Sequence, residues 1–81
     1  MPPDYPAQAR DRGDEGTVGL HLLIGADGTT REVRMHRSSG NRLLDAAAVA
    51  AARRWEVEPA SVGGRRTDAW VEVPVRFRLE R

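Results

Sequence analysis

The sequence predicts an α+β domain: a three-stranded antiparallel sheet with two helices packed on one face, in the order α-β-β-α-β. Three observations predict it. Two stretches, residues 16–24 and 30–37, alternate apolar and polar side chains on either side of an Asp-Gly turn. Residues 42–55 place their apolar side chains at helical spacing. Residues 69–79 alternate again, and the Pro74 among them suits only a strand at the rim of a sheet.

The elements follow in order. Pro2, Pro3, Asp4, Tyr5 and Pro6 form an extended lead-in, because a residue before proline is pushed out of the helical region. Pro6 fits the first position of a short helix over residues 7–12, and Gly13 ends it. Two turns of helix are not stable alone, so Tyr5 and Ala9 must dock on something. In residues 16–24, Val18, Leu20, Leu22 and Ile24 share one face, and Thr17, Gly19, His21 and Leu23 the other. Gly25-Ala26-Asp27-Gly28 is the turn. Val33 and Met35 point inward from the second strand, with Glu32, Arg34 and His36 outward. Ser38-Ser39-Gly40-Asn41 breaks the strand and offers capping side chains. A helix from Arg42 to Arg54 or Trp55 carries Leu44, Ala48, Ala51, Ala52 and Trp55 on one stripe. Its alanines make that face flat enough to lie close to a sheet. Asp45 near its start and Arg53 and Arg54 near its end suit the helix dipole, and Pro59 forbids continuation. Residues 61–67 read as a polar loop. In the last strand, Val71, Val73, Val75, Phe77 and Leu79 face inward, and Trp70, Glu72, Pro74, Arg76 and Arg78 outward.

The first two strands form a hairpin, and the second helix carries the chain back. A purely antiparallel sheet then requires the third strand beside the first, giving the order 2-1-3. Both helices cover the single apolar face, and the Arg, Glu and His of the other face meet water. Pro74 has no N–H, so its position must turn away from the neighbouring strand. In an antiparallel strand the N–H and C=O of one residue point to the same side. Glu72, Pro74, Arg76 and Arg78 then present their backbone to an open edge, while Val73, Val75 and Phe77 bond to the first strand.

Composition narrows the function. The chain has 81 residues and a formal charge of +1, which excludes a strongly electropositive nucleic-acid binder. All thirteen basic residues are Arg, a coding bias that no single site requires. Hydrophobic residues make up 40% and charged residues 31%, as in a folded chain. The length fits one domain over residues 1–81, with an ordered core over 5–79 and residues 1–4 as lead-in. No cysteine is present, so disulfides and thiolate metal sites are excluded. The longest apolar run, residues 46–52, is far short of the ~20 residues that span a bilayer. The first residues lack the basic flank and apolar stretch of a signal peptide.

Several side chains invite a sharper reading and do not sustain it. His21 and His36 fall on one outward face, but two histidines without a clear third ligand make a poor zinc site. Asp27-Gly28 lacks the flanking ligands of a calcium loop. Gly63-Gly64-Arg65-Arg66 lacks the Lys-Ser/Thr and the following helix of a phosphate loop. Ser38, Ser39 and His36 hint at a nucleophile and base, but no orienting carboxylate is evident and capping explains the serines better. No catalytic residue, metal ligand or cofactor is therefore expected. Trp55 reads as core, and the outward Trp70 as a recognition residue.

At this point the residues match a family. Tyr5-Pro6, Gly16-Thr17-Val18, Asp27-Gly28, Ser38-Ser39-Gly40, Leu44-Asp45, Ala47-Ala48, Trp55, Pro59-Ala60 and Pro74-Val75-Arg76-Phe77 together resemble the C-terminal domain of TonB-type energy transducers. No one piece is specific, but the ordered set from Tyr5 to Leu79 is. Val57 stands where the family usually has Phe, and Ala52 where a larger aliphatic is common, so a smaller core is expected.

The resemblance implies the same helix-decorated sheet and a role in the periplasm of Gram-negative bacteria. The parent chain would be anchored in the inner membrane, coupled there to motor proteins, and the chain would be its excised domain or a detached fragment. It would bind the TonB box of an outer-membrane transporter by strand addition and pass on force from the proton gradient for uptake of siderophore- or cobalamin-type nutrients. The resemblance leaves the oligomeric state open between a monomer and a strand-exchanged homodimer, for which the unpaired edge gives a physical reason. The residues assigned to the guest strand are Trp70, Glu72, Pro74, Arg76 and Arg78, with Arg65 and Arg66 as accessory contacts. Four backbone bonds would give about 2–6 kcal/mol against an association cost of ~4–15 kcal/mol. Side chains must therefore contribute, and Pro74 should confine pairing to the Trp70–Glu72 half or the Arg76–Arg78 half. A structural or sensory envelope domain of TonB-like or TolA-like type, binding cell wall or another envelope protein, is the alternative.

Overall fold

The computed structural model describes residues 4–80, so Met1, Pro2 and Pro3 of the expected lead-in lie outside the described residues. The elements are α1 (Ala7–Arg12), β1 (Gly16–Ile24), β2 (Thr30–Arg37), α2 (Arg42–Ala52), β3 (Ala60–Val62), β4 (Arg65–Thr67) and β5 (Ala69–Phe77). The main sheet is antiparallel with the order β2-β1-β5, as the hairpin and the returning helix require.

Pro6 caps α1 one position earlier than expected, and Gly13 closes it in the left-handed conformation. The N–H groups of Gly13 and Asp14 reach back to the carbonyls of Arg10 and Ala9 at 3.0 and 2.9 Å. So short a helix holds because it is tied at both ends. Ala9 is fully buried, the Tyr5 hydroxyl donates to the Asp14 carbonyl, and the Tyr5 ring meets Phe77 edge-on at 5.4 Å.

The Ser-Ser-Gly-Asn segment and Asp45 form one capping network at the start of α2. Asn41 accepts from the N–H groups of Leu43 and Leu44 at 2.9 and 3.3 Å. Asp45 accepts from the Ser39 hydroxyl at 2.7 Å, from the Ser39 N–H at 2.9 Å and from the Ser38 hydroxyl. Desolvation pushes the Asp45 carboxyl up, but the donated bonds of Ser38 and Ser39 outweigh it and hold the pKa below 3.8. The serines are thus occupied in holding the helix entry. The helix itself stops at Ala52, short of Arg54 or Trp55. The N–H groups of Arg54 and Trp55 bond three residues back, to Ala51 and Ala52, in a tightening last turn.

The core joins Val18, Leu20, Leu22 and Ile24 of β1 to Leu44, Ala48 and Ala52 of α2, to Val75 and Phe77 of β5 and to Ala9. Each large side chain fully buried here contributes roughly 1.5–3 kcal/mol. No polar or charged residue is buried among the described residues. Met35 departs from expectation: it is 47% exposed. It lies on β2, the opposite edge strand, outside the buried cluster.

The expected polar loop over 61–67 is instead a β-hairpin. Ala60, Ser61 and Val62 pair with Thr67, Arg66 and Arg65. Gly63 and Gly64 both have positive φ, 58° and 79°, as the two central residues of a tight hairpin turn require. The molecule is elongated, with extents of 48 × 21 × 17 Å and a radius of gyration of 14.0 Å, against about 12 Å for a compact chain of this length.

Candidate functional site

β5 has β1 on one side, and among the described residues no strand pairs with the other. Its register sets Gly16 opposite Phe77, Val18 opposite Val75, Gly19 opposite Pro74, Leu20 opposite Val73 and His21 opposite Glu72. Pro74 has no N–H, so it cannot exchange bonds with Gly19 directly. That pair is of the non-hydrogen-bonded kind, and the ladder bonds flank it: the Val75 N–H gives to Val18, and the Leu20 N–H to Val73. The alternation turns the N–H and C=O of Trp70, Glu72 and Arg76 toward the free edge.

The inner face beside this edge is open. An 11-residue helix is about 16 Å long and a nine-residue strand about 30 Å, so α2 covers only part of the sheet. The uncovered part is a groove of about 400 Å³ lined by Leu22, Ile24, Val71, Val73 and Val75 from the sheet and by Trp55, Glu56 and Val57 opposite. The wall formed by residues 55–57 hangs from the β1–β2 turn. The Val57 N–H donates to the Gly28 carbonyl at 2.8 Å, and the N–H and hydroxyl of Thr30 donate to the Trp55 carbonyl at 3.3 and 3.0 Å. Gly28 has φ 88°, and a Cβ on it would fall 2.3 Å from the Val57 carbonyl oxygen, so only glycine permits this contact. Asp27 stiffens the same turn by accepting from the Thr29 N–H and hydroxyl at 3.0 and 2.7 Å. Those bonds, the hydroxyl's first, hold its carboxyl below the ordinary value.

The residues singled out in the sequence separate into groups. Trp70, Glu72, Pro74 and Arg76 all lie exposed on β5. The Arg34 guanidinium sits 5.1 Å over the Trp70 ring and is held by Glu32 at 3.0 Å. Glu72 turns to the histidines: its carboxylate is 2.9 Å from His36 Nε2 and 3.9 Å from His21 Nε2. Arg78 lies beyond the end of β5, because the strand stops at Phe77 and the Leu79 N–H bonds to Glu15 at 2.7 Å. Arg65 and Arg66 stand exposed on β4, on the hairpin and not on the edge.

Sequence reasoning missed Trp55, Glu56 and Val57 as a groove wall. Trp55 does pack partly on the core, as expected. Val57, expected to replace a core aromatic, is 43% exposed. The signal was available in the lengths: the inward valines of the last strand outnumber what a three-turn helix can cover. His36 also has the orienting carboxylate that the sequence did not reveal, although the serines point instead to Asp45.

Residues 1–79 match the family model described as the Gram-negative bacterial TonB protein C-terminal. The chain is 47% identical over 77 residues to the protein tonB2 of Pseudomonas aeruginosa, covering 95% of this chain and 28% of that one. It is 41% identical over 78 residues to the protein TonB of Xanthomonas campestris pv. campestris, covering 96% and 35%. For the protein TonB of Vibrio cholerae the identity is 36% over 78 residues, covering 96% and 32%. The chain thus spans about a third of the length of these curated relatives. No helix of the described residues is long and apolar enough to cross a membrane. Edge strand, groove and two-helix cover belong to a chain whose sequence aligns with this one family almost from end to end, and the chain is a member of the TonB C-terminal domain family, a family of non-enzymatic interaction domains.

Proposed function

We propose that the chain is the periplasmic interaction module of a TonB-type energy transducer, whose parent is anchored in the inner membrane and coupled to motor proteins. It takes the TonB box of an outer-membrane transporter as an added strand on β5. Through that grip, force drawn from the proton gradient reaches the transporter and drives uptake of siderophore- or cobalamin-type nutrients.

The observation that carries this reading is the coincidence of an unpaired strand edge with an apolar groove beside it. Backbone pairing supplies register, and the outward N–H and C=O of Trp70 and Glu72 offer four bonds that contribute only about 2–6 kcal/mol. One aliphatic side chain buried in the groove adds roughly 1.5–3 kcal/mol. Together they bring the sum into the range of the association cost, ~4–15 kcal/mol, and give weak, reversible engagement. The groove flanks Val71 and Val73, and β5 ends at Phe77, so the half around Trp70 and Glu72 is the better platform.

Amide shift mapping with a TonB-box peptide tests the proposal. Shifts should concentrate on residues 70–76 and 55–57. Shifts spread evenly over the two helices, with β5 silent, would overturn it. Absence of peptide binding together with binding to cell-wall fragments would favour the envelope alternative.

A further inference from the structure

The outer face of the sheet carries a side-chain cluster that strand addition touches only through the backbone of Glu72. His21 stands on β1, the middle strand, with Glu72 directly opposite on β5. His36 arrives from β2. The β1–β2 register passes from Gly19 opposite Arg37 to Leu20 opposite Met35, which leaves His36 as the extra residue of a β-bulge. The two imidazoles stack with centroids 4.3 Å apart and planes 20° apart. One ligand atom from each of His21, His36 and Glu72 lies within 4.8 Å of the other two.

Gly19 makes the meeting possible. Its backbone is extended, so it is not there for a left-handed turn; it is there for space. A Cβ at this position would fall 2.8 Å from His36 Nε2 and 3.2 Å from Cε1. Without it, the His36 ring lies across the middle strand and reaches a carboxylate two strands away. Bulge, glycine and cross-strand pair therefore act together to converge three ligands, two imidazoles and a carboxylate.

We propose that His21, His36 and Glu72 form a binding site for a divalent first-row metal ion of the zinc type. Two imidazoles and a carboxylate are a common three-ligand set for zinc, with water in the fourth position. Bonds of about 2.0–2.1 Å in tetrahedral geometry separate neighbouring ligand atoms by about 3.3 Å. The distances of 2.9 and 3.9 Å from Glu72 to the two rings bracket that value. One ring must tilt from its stacked position so that both lone pairs aim at a common point. The side chains of His21 and His36 are 46% and 35% exposed, and the solvent side leaves room for the tilt. The Glu72 carboxylate supplies the negative charge. Arg37 lines the same hollow, with Thr17 and Pro74, and works against a cation there. A bound ion would clip β2, β1 and β5 together across the face opposite the core.

The test titrates the untagged, chelator-treated protein with zinc chloride, followed by calorimetry and by amide shifts. The expected result is saturable binding of one ion per chain, with shifts centred on residues 21, 36 and 72. Glu72→Gln and His36→Ala should each weaken binding by more than about 100-fold, since even supporting partners of a ligand typically account for 10–100-fold. Gly19→Ala should also weaken it, and Arg37→Gln should strengthen it. No saturable binding, or binding that Glu72→Gln leaves unchanged, would overturn the proposal. Glu72→Gln changes neither size nor backbone, so its melting curve without metal serves as the folding control.

Discussion

Proline substitutions at two adjacent positions of β5 test the phase of the ladder on which the docking edge rests. At Val75 the N–H gives to the Val18 carbonyl, and both residues are buried, 4% and 0% exposed. Val75→Pro removes the donor and strands that carbonyl away from water, a cost of about 1–3 kcal/mol. For a domain of this size each kcal/mol shifts Tm by about 4–8 °C, so Tm should fall by roughly 4–24 °C. At Arg76 the N–H points to the free edge, where water satisfies it, and the side chain is exposed. Arg76→Pro should cost less than about 1 kcal/mol, as at other edge positions where proline is tolerated. TonB-box peptide binding is read in the half that the guest occupies: Glu72→Pro, at an outward position of the same phase, loses one guest bond, worth about 0.5–1.5 kcal/mol, and weakens binding roughly 2- to 13-fold. Thermal melts of the first two variants and peptide titration of Glu72→Pro decide the matter. Equal destabilisation, or a larger loss from Arg76→Pro, would mean that the backbone groups of Trp70, Glu72 and Arg76 do not face outward, and the docking edge would be gone.

Three further outcomes are expected. Phe77→Ala removes the largest fully buried side chain and the ring under Tyr5, and should cost about 3–5 kcal/mol in urea unfolding. Val57→Asp places a charge on the groove wall at an exposed position; stability should change by less than about 1 kcal/mol while peptide binding weakens severalfold. Asp45, whose carboxyl is held below 3.8 in the fold, contributes stability that is fully present above its unfolded pKa and disappears as pH falls through the lower folded value. Asp45→Asn should therefore flatten the acid side of the stability profile measured by denaturant midpoints, and an unchanged acid limb would show that the Ser38–Ser39 bonds carry no linkage.

The main sheet was legible because alternation and helical period are strong signals over eight or more residues. The four inward side chains of β1 and the stripe from Leu44 to Ala52 are buried as their spacing indicates. Pro74 fixed both the edge and the ladder phase, since a missing N–H admits few positions. The β3–β4 hairpin was obscured because Ser61, Arg65 and Arg66 are polar on both faces, leaving only Gly63-Gly64 as a turn signal. Met35 obeys the alternation yet stays half exposed, because pattern gives direction and not cover. The His21–His36–Glu72 cluster depended on a one-residue bulge and on an absent methyl group at Gly19. Neither leaves a trace in periodicity.

The wall of the groove is suspended from a turn nearly thirty residues upstream. The contact between Gly28 and Val57 makes the width of the cleft a property of a hairpin tip, with no residue of that tip lining the cleft itself. A lineage could thus retune which guests fit by altering Asp27, Gly28 or Thr29, leaving every contacting side chain as it was.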